Sequence, residues 1–212
     1  MQRIQSTYPE LATCLIDPQT LHITLCVLHL DTEEEIHQAA SILRERTAQV
    51  AVPVFSQHRP TFDVHGFDFF GQHNVLHACV DKTSKPAQHM AVFAKALHDA
   101  MEVPGFTTER FRMPYTPHVT IWKSWKDKKC TDQLNRGRKR GNLVQDELAA
   151  FLAEEYGSEP LHFGTETPVS VELLCMTEKD ENGYYVVYET ASLVDASPTG
   201  LEDSQALDGQ AR

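Results

Sequence analysis

Two apolar stretches, LHITLCVL at residues 21–28 and PHVTIWK at 117–123, print the same pattern in the two halves of the chain. Each places a His two residues before a Thr inside a run of β-branched and large apolar side chains. A period of two sends residues i and i+2 to one face of a strand. Leu21, Ile23, Leu25 and Val27 are therefore expected on one face, with His22, Thr24 and Cys26 on the other. The same spacing puts His118 beside Thr120. A chain carrying one such strand in each half is expected to fold as two similar units that share what lies between them.

The segments around these strands support that reading. DTEEEIHQAASILRERTAQV is expected to be a helix, with Thr32 and Glu35 in capping-box spacing and Ile36, Ala39, Leu43 and Val50 along an apolar stripe. AVPVFSQH and PTFDVHGFDFFGQ read as two strands around Arg59–Pro60, and NVLHACV as a third. A second helix is expected from Ser84 to Met101, with Met90, Phe93, Ala94, Leu97 and Met101 at helical spacing. QDELAAFLAEEYG reads as a short helix closed by Gly157. PVSVELLCMTE and GYYVVYETASL read as a hairpin turning at Asp180–Gly183. Strands and helices alternate in two loosely similar stretches, so the expected fold is α+β, with two lobes and their sheets facing a cleft. The expected domain spans 1–194, and the polar stretch 195–212 is expected to be a disordered tail.

Bulk properties narrow the function classes. The chain has 212 residues, 41% hydrophobic and 23% charged, an ordinary globular mixture. No run approaches the roughly 20 apolar residues of a membrane span, and the first residues lack a signal-peptide pattern. Five cysteines with no C-x-x-C pair argue against a disulfide framework or a thiolate zinc site, and fit a reducing cytoplasmic or nuclear compartment. The net charge of −11 disfavours a general nucleic-acid binder. Residues 123–140 run against that trend, with eight basic residues against Asp127 and Asp132, which suits guidance of a small polyanion or an import signal.

Bare His-x-Thr is weak on its own, since 11 histidines in this composition give roughly one or two matches by chance. Its strand context is what gives it weight. An imidazole can move a proton while the neighbouring hydroxyl donates to a phosphate oxygen. Two facing strands of this kind would surround one phosphate with two imidazoles and two hydroxyls, a set able to cleave a phosphodiester without a metal. His58, His65, His73 and His77 match no zinc spacing, so neither a metal nor another cofactor is expected.

LHITL, PHVTIWK, FDVHGFDFFGQHNVLHACV and VELLCMTEKDENGYYVVYE, in that order, resemble the 2H phosphoesterase superfamily of 2′,5′ RNA ligase-like proteins. The likeness is to the branch holding the nucleotide-binding domain of A-kinase-anchoring protein 7 and leukocyte receptor cluster member 9. It implies a bilobal pseudo-twofold fold, with mixed or antiparallel sheets around a central cleft. It also implies metal-independent cleavage of a 2′,5′-phosphodiester or a 2′,3′-cyclic phosphate, with a nucleotide or oligonucleotide as the substrate. His22 and His118 would be the proton-transfer pair and Thr24 and Thr120 the phosphate donors. Tyr115 would stack on a base or pack its loop, and Lys123 and Lys126 would be outer phosphate contacts. Members of that branch open with an apolar strand, of the type FVALPL, that is not found before His22 here. Without it, unpaired backbone is expected beside the first motif. The tail shows no amphipathic stripe, so kinase anchoring is not implied. The competing readings are a non-catalytic nucleotide-sensing or scaffold domain, and an RNA-binding module built on residues 123–140.

Overall fold

The computed structural model describes residues 2–7, 9–55, 60–70, 74–108, 115–124, 143–156 and 161–193. A short helix α1 (Gln2–Thr7) and 3-10 turns at Pro9–Cys14 and Pro18–Thr20 lead into the first motif. Then come α2 (Glu33–Arg46), a wide π turn (Thr47–Ala51) and α3 (Val52–Phe55). The hairpin β1 (Phe62–Phe70) and β2 (Val75–Val80) follows, then α4 (Lys85–Glu102) and β3 (His118–Lys123). The chain continues through α5 (Leu143–Tyr156), β4 (His162–Glu166), β5 (Ser170–Lys179) and β6 (Tyr185–Ser192).

Four strands form an antiparallel sheet in the order β3-β2-β1-β4, and β5 and β6 form a separate antiparallel pair. Gly66, at φ 60°, takes up an extra residue in β1, the left-handed position that a bulge of this kind requires. Gly183, at φ 84°, closes the β5–β6 turn, where the Asp180 carboxylate accepts from the backbone N–H groups of Asn182 and Tyr184 at 2.9 Å each.

Two apolar clusters fill the lobes. One lies against the four-stranded sheet and includes Leu15, Phe62, Leu76, Trp122 and Leu148. The other joins α2, α4 and β6 through Leu43, Phe93, Leu97, Met101 and Ala191. Helix α4 serves both, with Ala87 and Met90 in the first and Phe93, Leu97 and Met101 in the second. Its start is capped by Ser84, and the capping box of α2 forms as expected, with the Glu35 N–H donating to Thr32 Oγ1 and the Thr32 N–H to Glu35 Oε2.

Three expectations need correction. LHITLCVL does not join a ladder: Ile23 bridges Val119 and Leu28 bridges Thr107, and no run of consecutive pairs forms. Nor does its alternation hold, since Leu21 and Val27 are exposed while Leu25 packs against both clusters and Cys26 and Leu28 against the second. The segment is flanked by apolar neighbours on two sides, so a single buried face is not what its surroundings select. Within AVPVFSQH, residues 51–55 are not a strand, because Ala51 and Phe55, four residues apart, are buried together as a helical face. That burial overrides the β preference of its valines. Strand β4 was not anticipated; HFGTE is mostly exposed at the sheet edge and carries no alternation to read.

Among the described residues no strand precedes His22, and residues 15–16 instead run along the outer edge of β3, with Leu15 bridging Trp122 and the Ile16 N–H donating to the Ile121 carbonyl at 2.8 Å. The helix end at Gly157, most of 123–140 and the tail lie outside the described residues.

Trp122 is fully buried at the centre of the first cluster. Trp122→Ala is expected to cost about 3–5 kcal/mol of stability, read from the urea midpoint, because the surrounding core closes only partly over the cavity left behind.

Candidate active site

The bridge between Ile23 and Val119 sets the site. Antiparallel register around it puts His22 opposite Thr120 and Thr24 opposite His118. Those four side chains share one face, and all four are half-buried. The sheet extends their rows: Thr120 stands opposite His77 of β2, which stands opposite Asp68 of β1, while His118 stands opposite Cys79 and then His65.

A bulge refines this face. Leu76 pairs with Trp122 and His77 with Thr120, so Ile121 is an extra residue in β3. The phase shift buries Trp122 against the core and returns Lys123 to the face of His118 and Thr120. Strict alternation from His118 would have sent Lys123 to the core side.

Both motif histidines are held alike. His22 Nδ1 lies 2.8 Å from the carbonyl oxygen of Thr20, and His118 Nδ1 lies 2.8 Å from that of Thr116. A carbonyl only accepts, so each Nδ1 carries the proton and donates it, and in the neutral ring each Nε2 is left with a lone pair. Thr20 is buried, and its own hydroxyl and N–H both donate to the Asp17 carbonyl at 2.9 Å. Thr116 precedes the buried Pro117, whose ring restricts it to extended backbone. Burial lowers the proton affinity of His118 below the ordinary imidazole range, the Thr116 carbonyl partly offsets this, and the charges of Lys123 and His22 lower it further.

Tyr115 ties the halves together. Its hydroxyl donates to the Thr24 carbonyl at 2.7 Å, and its ring packs on the first cluster. Lys126 lies outside the described residues. Aromatic neighbours complete the site: Tyr185 of β6 meets the His22 ring edge-on at 5.8 Å, and Phe70 meets the His118 ring edge-on at 4.8 Å. Neither was singled out in the sequence, and His77 was weighed there only as a metal ligand; its place beside His118 follows from the β2–β3 register. A separate cleft of about 530 Å³ runs along α4 and includes Tyr115, Lys82 and Lys95 but none of the four motif side chains. Among the described residues, the potential metal ligands that converge are His98, Asp99 and Glu102 near the end of α4, not the motif set.

A two-lobed α+β fold with a curled antiparallel sheet, joined at paired His-x-Thr segments, is the architecture of a 2H phosphoesterase-like protein. Residues 1–193 match the model of the AKAP7 2′5′ RNA ligase-like domain, and the chain belongs to that family. No curated protein matches the chain in a direct sequence comparison. Among the described residues, no helix is long and apolar enough to cross a membrane.

Two outcomes are expected here. Tyr115→Phe removes the hydroxyl that satisfies the Thr24 carbonyl, and should lower stability by about 1 kcal/mol in urea titrations. His77 is buried and its pKa is pushed from 6.5 down to about 4, by desolvation first and the charge of His118 second. Between those values the unfolded chain binds the proton that the folded chain refuses, so this contribution to stability is full above pH 6.5 and falls as pH drops towards 4. Urea midpoints measured above and within that window should show a smaller acid loss for His77→Phe than for the native chain.

Proposed function

We propose that the chain is a metal-independent phosphoesterase acting on 2′-linked nucleotide phosphates, either a 2′,5′-phosphodiester or a 2′,3′-cyclic phosphate. The observation that carries this reading is the shared anchoring of the two motif imidazoles, each donating Nδ1–H to a carbonyl two residues upstream and keeping Nε2 for chemistry. Family membership supports the class of reaction. In hydrolysis of a cyclic phosphate, one Nε2 takes a proton from the attacking water while the other, protonated, gives one to the departing ribose oxygen. Burial lowers the proton affinity of His118 and so favours it for the first role. Thr24 and Thr120 donate to the non-bridging oxygens, and Lys123 offsets charge on the pentacoordinate phosphorus. A role for Lys126 as an outer phosphate contact and a cytoplasmic or nuclear location belong to the same reading. Tyr115 serves by fixing Thr24.

The rival reading, a domain that binds a nucleotide without cleaving it, draws on the missing ladder along residues 21–28. Hydrolysis of 2′,5′-linked oligoadenylate and of 2′,3′-cyclic AMP in the presence of EDTA separates the two. Cleavage should persist in the chelator and fall by about 10²–10⁴-fold in His22→Ala and in His118→Ala. It should fall by about a hundredfold in Thr120→Val. A folded native chain that binds these nucleotides and cleaves neither would establish the rival.

A further inference from the structure

The proposed chemistry uses two imidazoles, and a third lies against one of them. His77 is 2% exposed, and its register opposite Thr120 puts it on the same sheet face as His118. The Phe70 ring lies flat upon it, with centroids 4.0 Å apart and planes 11° apart. Both rings of this stack meet His118 edge-on, Phe70 at 4.8 Å and 81°, His77 at 5.2 Å and 71°. The His77 Nδ1 is buried without a well-formed hydrogen bond, while the ring has a polar contact with the Val75 backbone. An apolar ring would fill such a place with less desolvation cost.

A ring held by one hydrogen bond at Nδ1 still swings about that bond. A wall of two stacked rings in edge contact removes the swing. The Thr116 carbonyl and the Phe70–His77 wall together therefore leave the His118 Nε2 one direction.

We propose that His77 is a positioning residue for His118: stacked on Phe70, it braces the His118 imidazole from inside the sheet. It touches no substrate and takes no proton in the reaction. The kinetic consequence rests on the phosphoesterase reading, whereas the geometric one does not.

The charges around His118 require a neutral brace. Lys123 faces it from its own strand, His22 from the first motif, His77 and Cys79 from β2, and Asp68 lies beyond His77 on β1. Lys123 and His22 both oppose a proton on His118. A charged His77 would add a third opposing cation at ring contact. Burial first and the charge of His118 second push the His77 pKa down to about 4, which keeps that third cation away above this pH.

The test uses the full chain. Motion of the His118 ring is followed by ¹³C relaxation of its Cε1–H and Cδ2–H groups, alongside kcat and KM for 2′,3′-cyclic AMP, in the native chain, His77→Ala and His77→Phe. In the native chain the ring should be as ordered as the β3 backbone. His77→Ala should leave the proton on Nδ1, set the ring moving about its Thr116 hydrogen bond and lower kcat by about ten- to a hundredfold with little change in KM. His77→Phe, which keeps the stack, should restore both ring order and kcat. A ring that stays ordered with unchanged kcat in His77→Ala would overturn the proposal. So would a mobile His118 ring in the native chain, or a folded His77→Phe that behaves like His77→Ala. Should His77→Ala not fold, the native ring order and His77→Phe decide. Should the native chain cleave no 2′-linked phosphate, the phosphoesterase reading fails, and the ring-order readout still decides on the brace.

Discussion

Everything in the site depends on one backbone contact, the antiparallel bridge between Ile23 and Val119. Each of these residues is the centre of its own His-x-Thr triplet, so the local twofold relation passes through the bridge. Slip the register by one and the histidines no longer face the opposite threonines. The bridge is an isolated pair, so it depends on its surroundings to hold register. Tyr115 reaches the Thr24 carbonyl from one side, residues 15–16 occupy the next stretch of the β3 edge, and Leu25 is packed between the two clusters.

Rigid anchors complement that register. The carbonyls that orient His22 and His118 belong to Thr20, at the end of a capped 3-10 turn begun by Pro18, and to Thr116, locked by Pro117. A backbone carbonyl in a constrained turn cannot titrate, and it cannot rotate away as a carboxylate partner can. The tautomer is thus specified by chain geometry instead of by a second ionisable group, which adds no charge beside the imidazoles.

Much of this was legible in the sequence, for reasons that also explain what was not. The capping box of α2, the α4 stripe, the β5–β6 turn at Asp180–Gly183 and strand β3 are local signals, and each formed where expected. Residues 21–28 and 51–55 were misread because their surroundings, not their propensities, decide their conformation. In the site, His22, Thr24, His118 and Thr120 were picked out by their spacing, and the Ile23–Val119 bridge brings them together although residues 21–28 form no ladder. His77 and Phe70 could not be found that way. Their proximity to His118 is a cross-strand relation through β2, and it becomes visible only once the strands have been laid side by side. Lys123 reaches the site face through an extra residue in β3 that no alternation rule anticipates.

Helix α4 has a mechanical consequence. It contributes Met90 to one apolar cluster and Phe93 to the other, adjacent turns of one continuous rod. Separating the lobes would expose both clusters along a single helix, or would break that helix between the two residues. Opening therefore belongs to the high-energy end of the molecule's fluctuations, close to global unfolding. Slow exchange of amide protons along α4 should therefore report the whole molecule and not either half alone.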